Sequence, residues 1–217
     1  MIPGTFDRSA GVAGMPDESV VHPLLDQIRA RLAESPGREA RFLGAPARAA
    51  VALVLRVING ELELLLIRRA EREGDPWSGH VALPGGRRDP RDPSLRETAI
   101  RETLEETAID LRASSEPLGV LDELHPRTPV LPSIVVTPSV FVLTDVGQRS
   151  LELVLSDEVA EAFWVPLATL VDPTVTQETD VQRPGETWRV RAFMVREHVV
   201  WGLTERILRN LLTVIGY

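Results

Sequence analysis

A chain of 217 residues with 43% hydrophobic and 26% charged side chains has the makeup of one folded domain, which excludes a disordered or fibrous protein. A count of 24 basic against 32 acidic residues gives a net charge of −8, which argues against nucleic acid as a partner but not against small phosphorylated molecules reached through a divalent cation. With no cysteine there is no disulfide, thiolate nucleophile or Cys-based zinc site, and the remaining oxygen donors and four histidines favour a hard cation.

No apolar run reaches the roughly 18 residues needed to cross a bilayer, so no membrane span is expected. The first twenty residues carry Asp7, Arg8, Asp17 and Glu18 in place of an apolar signal core, and a cytoplasmic location is expected. Residues 1–20, rich in glycine and proline and without periodicity, read as a flexible arm, and residues 21–217 as a single domain.

From His22 to Ala33, Leu24, Leu25, Ile28 and Leu32 recur at helical spacing, and Ser35-Pro36-Gly37 ends the helix. Ala49 to Val57 and Glu61 to Ile67 flank Asn59-Gly60, the pattern of a β-hairpin. Pro84-Gly85-Gly86 reads as a break into a loop, after which Ser94-Leu95-Arg96-Glu97 is a capping box that opens a helix to about Ala108. Strands are expected at Leu118 to Leu121, Ile134 to Leu143, Ala162 to Val165 and Trp188 to Val195. Pro166 to Leu170 reads as a helical turn, and Val199 to Ile215 as a last helix. This order describes an α/β domain of layered type.

The chemistry concentrates in the central helix. At 100° per residue Glu106 lies about 40° from Glu102, and Glu105 about 60° to its other side, so three carboxylates share a narrow face. Ile100, Leu104 and Ala108 are expected opposite, against a sheet. A run of glutamates on a helix is most often a solvated face. Here Gly85 and Gly86 let a backbone carbonyl approach a bound ion, and Arg101 stands ready to orient the carboxylates. Oxygen ligands of this kind suit Mg²⁺, whose shell is completed by water and substrate phosphates.

Leu83-Pro84-Gly85-Gly86, Arg101-Glu102 and Glu105-Glu106 together resemble the Nudix hydrolase signature, which ends in Arg-Glu-apolar-x-Glu-Glu-x-Gly-apolar. Asp92 stands where a Glu is expected, one extra residue separates it from Arg101, Thr103 fills an apolar slot, and Ala108 replaces a Gly. Leu65 to Ala70, Val136 to Val140 and Val200 to Thr204 are similar to the coenzyme A pyrophosphatase branch. In that branch the upstream segment Glu71 to Gly79 is one residue shorter, and Leu83 is usually Phe.

The resemblance implies a Nudix-type mixed β-sheet sandwiched between α-helices. It also implies Mg²⁺- or Mn²⁺-dependent hydrolysis of a nucleoside diphosphate derivative, with coenzyme A cleaved to 3′,5′-ADP and 4′-phosphopantetheine as the first expectation. ADP-ribose, a nucleoside triphosphate or a dinucleotide polyphosphate is the alternative, followed by a non-catalytic nucleotide sensor. Under it Glu102, Glu106, Glu105 and the Gly85 carbonyl hold metal, Glu105 acts as base, and Arg101 orients the glutamates. Glu158, Glu161 and Glu178 are distal candidates for the base. Arg69, Arg87 and His80 are the expected substrate contacts, and Arg68, Arg72 and Arg88 can join Arg69 and Arg87 at a 3′-phosphate. Trp77 and Trp201 can stack on an adenine, although Trp201 reads more simply as core, and His22 and His198 as structural. The sequence admits a homodimer without requiring one.

Overall fold

The computed structural model describes residues 22–41, 46–75, 77–126, 133–149, 151–183 and 186–217. The arm expected at residues 1–20 lies outside them. Helix α1 (Pro23–Glu34) begins at His22, whose Nδ1 accepts the Leu24 N–H at 3.2 Å, and it buries the periodic residues Leu25, Ile28 and Leu32. Strands β1 (Ala47–Ile58) and β2 (Glu61–Arg69) form the expected hairpin. Asn59 and Gly60, with φ of 52° and 80°, supply the left-handed turn whose twist suits two antiparallel strands.

Short strands β3 (Val81–Ala82) and β4 (Gly85–Arg87) follow. Gly85 and Gly86, expected in a loop, are therefore ladder residues: Val51 pairs with Gly85 and Ala50 with Gly86. The chain continues through α2 (Leu95–Thr107), α3 (Leu111–Ser114), β5 (Ser115–Val120), β6 (Ile134–Leu143) and α4 (Asp145–Arg149). Then come β7 (Val159–Pro166), α5 (Leu167–Val171), a 3₁₀ turn (Pro173–Val175), β8 (Thr176–Arg183), β9 (Glu186–Val195), β10 (His198–Trp201) and α6 (Gly202–Val214). The last helix starts at Gly202 rather than Val199. His198 to Trp201 pair with Val195 to Ala192, and backbone bonds to β9 take precedence over helix continuation there.

The main sheet runs β3-β2-β1-β6-β5, with β4 on β1 and β7 on β2, and a second sheet runs β10-β9-β8. β1 and β6 are parallel, and β6 is buried at every position, as a strand covered on both faces must be. On one face Ala50, Ala52, Val54, Leu65 and Phe141 pack against Ala99 and Ile100 of α2. On the other, Leu53, Leu55, Leu64 and Leu66 pack with α1 and α6 through Leu25, Ile28, Leu208 and Leu211. The result is the mixed sheet between helices that the resemblance implied. Among the described residues no helix is long and apolar enough to cross a membrane.

α2 does not lie on the sheet through the face expected for it. Thr98, Ala99, Ile100, Thr103, Glu106 and Thr107 are buried, while Leu104 is 40% exposed and Ala108 is exposed. Two threonines tolerate this because each hydroxyl donates to the carbonyl one turn back: Thr103 to Ala99 and Thr107 to Thr103, both at 2.7 Å. Turning Glu106 inward puts a carboxylate where an apolar side chain would be cheaper.

Candidate active site

The candidate site is built where the start of β4 meets the C-terminal half of α2. The Ser94 hydroxyl accepts the Glu97 N–H at 3.2 Å and fixes the start of the helix. Eight and twelve residues on, Glu102 and Glu106 face the two glycines. The Gly85 N–H donates to Glu106 Oε2 at 2.8 Å. Gly85 has φ of 152°, and a Cβ there would strike the Ala50 carbonyl and Val51; a Cβ on Gly86 would strike the Glu102 carboxylate. Only glycine lets the strand pass this close to both the sheet and the helix.

Glu106 is 3% exposed, and burial pushes its carboxyl up to about 8, with the negative charge of Glu102 adding to the effect and the Gly85 N–H and Arg69 opposing it. Burial also raises the Glu102 carboxyl, against the pull of Arg101. Both feel the charge of Glu158, which stands at the start of β7. Two N–H groups of the segment before β7, from Ser156 and Val154, donate to the Glu106 and Thr107 carbonyls at 3.2 Å each and tie that segment to the end of α2. Glu158 itself pairs with Arg72 at 2.9 Å.

Arg101 holds the cluster together. Its Nε and Nη2 donate to the two oxygens of Asp92 at 3.0 and 2.9 Å, a bidentate pair, and Nη2 also donates to the Arg87 carbonyl at 3.2 Å. Its Nη1 reaches Glu102 at 2.9 Å and Glu105 at 3.1 Å. Asp92 is 7% exposed and also accepts from the Asp89 N–H and the Thr98 hydroxyl, so its carboxyl lies well below the usual range, chiefly through Arg101. Thus Asp92 anchors the arginine and does not face the glutamate pair. Sequence reasoning missed this role; the signal was there in a carboxylate nine residues before an arginine, but helix period does not connect a loop residue to a helix.

The three box carboxylates differ in setting. Glu105 is turned outward to Arg101 with its side chain 58% exposed. Among the described residues Glu102, Glu105 and Glu106 do not offer three oxygens within 4.8 Å of one another; Glu161, Glu197 and His198 do. That trio surrounds an imidazole stacked on Phe163 at 4.6 Å, and Arg68 faces Glu161 at 3.5 Å.

The expected substrate contacts divide. Arg69 is close enough to Glu106 to act on its charge, its Nη2 pairs with Asp75 at 2.9 Å, and its buried Nε has no hydrogen-bond partner. Arg68, the preceding residue of β2, pairs with Glu161 at 3.5 Å, whereas Arg69 pairs with Asp75, and the register of β2 against β7 shifts between the two. The Arg87 side chain is exposed beside the box, and Arg88 donates to the Asp92 carbonyl at 3.1 Å. His80 lies at the end of β3's approach loop, its carbonyl accepting the Arg69 N–H at 3.0 Å. Glu178 sits on β8 near Arg189, at 3.7 Å.

Residues 46–188 match the NUDIX domain family. The chain belongs to that family. It is 34% identical to the uncharacterized Nudix hydrolase NudL of Photorhabdus laumondii over 74% of this chain and 81% of that one. It is 42% identical to an uncharacterized protein of Schizosaccharomyces pombe, over 51% of this chain but only 33% of that longer protein. A MutT/nudix family protein from Enterococcus faecalis shares the fold, with a TM-score of 0.50 at 18% identity over 88% of this chain and 74% of the other. This chain is a Nudix hydrolase, and the stretch that resembles the family's signature, from Gly85 through Arg101 to Glu106, is referred to as its box.

Proposed function

We propose that this Nudix hydrolase cleaves the diphosphate linkage of coenzyme A, using a divalent cation held by Glu102, Glu106 and the Gly85 carbonyl. The observation that carries the reading is Glu106, a buried carboxylate beside a second one, with one backbone N–H, at 2.8 Å, as its hydrogen-bond donor among the described residues. Two desolvated carboxylates side by side destabilise each other, and a hard cation relieves both. The donor set, all oxygen and no sulfur, fits Mg²⁺ or Mn²⁺. Bound there, the ion supplies Lewis acidity to the diphosphate and neutralises the leaving phosphate.

The chain's own groups do the rest. Arg101, gripped by Asp92, keeps Glu102 from swinging away and fixes Glu105 at the outer rim. From there Glu105 accepts a proton from the attacking water as its oxygen bonds to phosphorus and the bridging P–O bond breaks. Glu158 is the second candidate for this base, because its charge already acts on both Glu102 and Glu106, whereas Glu161 pairs with Arg68 and His198 and Glu178 lies on β8. Arg69 and Arg87 meet the phosphates.

Coenzyme A is favoured over other nucleotides by the segments Leu65 to Ala70, Val136 to Val140 and Val200 to Thr204. The 3′-phosphate then falls to Arg69, Arg87 and Arg88, since Arg68 is paired with Glu161. The test is a panel of coenzyme A, dephospho-coenzyme A, ADP-ribose, dinucleotides and nucleoside triphosphates with products weighed by mass. Fastest release of 3′,5′-ADP and 4′-phosphopantetheine is expected. Cleavage of ADP-ribose or a nucleoside triphosphate with none of coenzyme A would move the substrate to that class.

A further inference from the structure

Trp201 stands outside the core that its neighbours build. Side chains alternate along β10; His198 and Val200 are buried, at 8% and 0% exposure, whereas Val199 and Trp201 are half-buried on the opposite face. The indole meets the ring of His80, centroids 4.8 Å apart and planes inclined by 56°. The Thr204 hydroxyl donates to the Val81 carbonyl at 3.1 Å and holds the start of α6 against β3.

His80 leads back to the Nudix box by two routes. Along the chain, β3 and Leu83-Pro84 connect it to Gly85. Across the ladder, its carbonyl accepts the Arg69 N–H at 3.0 Å. Asp75, paired with Arg69 at 2.9 Å, lies within electrostatic reach of the imidazole, and Arg69 acts on Glu106. Asp75 Oδ1 also accepts the Trp77 N–H at 3.0 Å, and the Trp77 carbonyl accepts the His80 N–H at 3.1 Å. The Arg69 N–H bond to the His80 carbonyl and the contact of the His80 ring with Trp201 therefore join Arg69, His80 and Trp201 in one row of contacts.

We propose that His80 and Trp201 form a stacking subsite for the planar base of the substrate nucleotide, with Arg69 at the phosphate end of the row. This deepens the reading above and rests on it. Stacking on an aromatic face tolerates any base and strengthens binding by about tenfold or more. The subsite therefore discriminates a ligand with a base from one without, rather than one base from another.

Isothermal titration calorimetry of the full chain with Mg²⁺ tests this using adenosine 5′-monophosphate and ribose 5-phosphate, which differ only by the base. Wild-type protein is expected to bind the nucleotide about tenfold or more tightly than the sugar phosphate. Trp201→Ala and His80→Ala should each shrink that ratio towards about twofold, and Trp201→Phe, which keeps a ring, should retain most of it. A merely structural role would weaken both ligands alike and leave the ratio standing; if Trp201→Ala does not fold, His80→Ala and Trp201→Phe carry the comparison. Equal affinities in wild-type protein, no measurable nucleotide binding, or an unchanged ratio in the folded Ala variants would overturn the subsite. Failure of the hydrolase reading shows separately, as absence of hydrolysis of every diphosphate by wild-type protein with the calorimetric ratio intact.

Discussion

Glu106 is the residue whose position is hardest to justify by packing alone. It occupies an inward slot of α2, its carboxyl is pushed up to about 8 by burial, and the Gly85 N–H offsets only part of that. In the unfolded chain the same group titrates near 4.5. Between these two values the folded state holds a proton that the unfolded state has lost, so stability falls as pH rises from about 4.5 to about 8. Asp92 has the opposite sign: its lowered carboxyl contributes stability above the ordinary carboxylate range that is lost as pH falls. In chelator, Glu106→Gln should therefore remove the alkaline loss and raise Tm at pH 8.5 by roughly 5 °C, with little change at pH 5. Mg²⁺ should then raise the wild-type Tm and leave that of the variant almost unmoved. A scan of Tm against pH for both proteins reads this directly, and parallel curves would refute the burial argument.

At the scale of elements, α2 shows how function overrides pattern. Its glutamate run and capping serine are plain in the sequence, but its contact face is not, because the apolar Leu104 points out and Thr103, Glu106 and Thr107 point in. Periodicity reads apolar residues as inward, and here the inward slots are spent on a carboxylate and on self-bonded hydroxyls. The β1–β2 hairpin was legible because Asn59-Gly60 dictates the turn. β4 was not, since two glycines look like a break until β1 is seen to pair with them. β8 was hidden by its polar residues on a partly exposed ribbon, and β10 by an apolar run that continues into α6. The helix end carries its own test: Ala108, with φ of 61°, sits in the left-handed conformation that glycine adopts without cost, and its N–H donates to the Leu104 carbonyl at 2.9 Å. Ala108→Gly should stabilise the protein by about 1 kcal/mol, or roughly 2–4 °C in Tm. A lower Tm would show that the Ala108 methyl contributes more than the strain costs.

Across the whole molecule, a net charge of −8 and an anionic substrate are compatible because the acidic residues do different work. Asp92 and Asp75 pair with Arg101 and Arg69 and Glu158 with Arg72, while buried Glu106 stands beside half-buried Glu102 with no ion pair of its own among the described residues. The box glutamates, Arg101 and Gly85 could be picked from the sequence because they lie within about two turns of helix and one loop. Glu158 and Trp201 are far from Arg69 and His80 in the chain: the pairing of β7 with β2 brings Glu158 beside Arg69, and the contact of Trp201, on the second sheet, with His80 is visible only in the fold. The most direct test of the central claim is the rate of diphosphate hydrolysis as a function of Mg²⁺ in wild-type, Glu102→Gln and Glu106→Gln proteins. Hydrolysis that requires the cation and falls about a hundredfold or more in both folded variants is the predicted result; cation-independent hydrolysis, or near-normal rates in both variants, would contradict it.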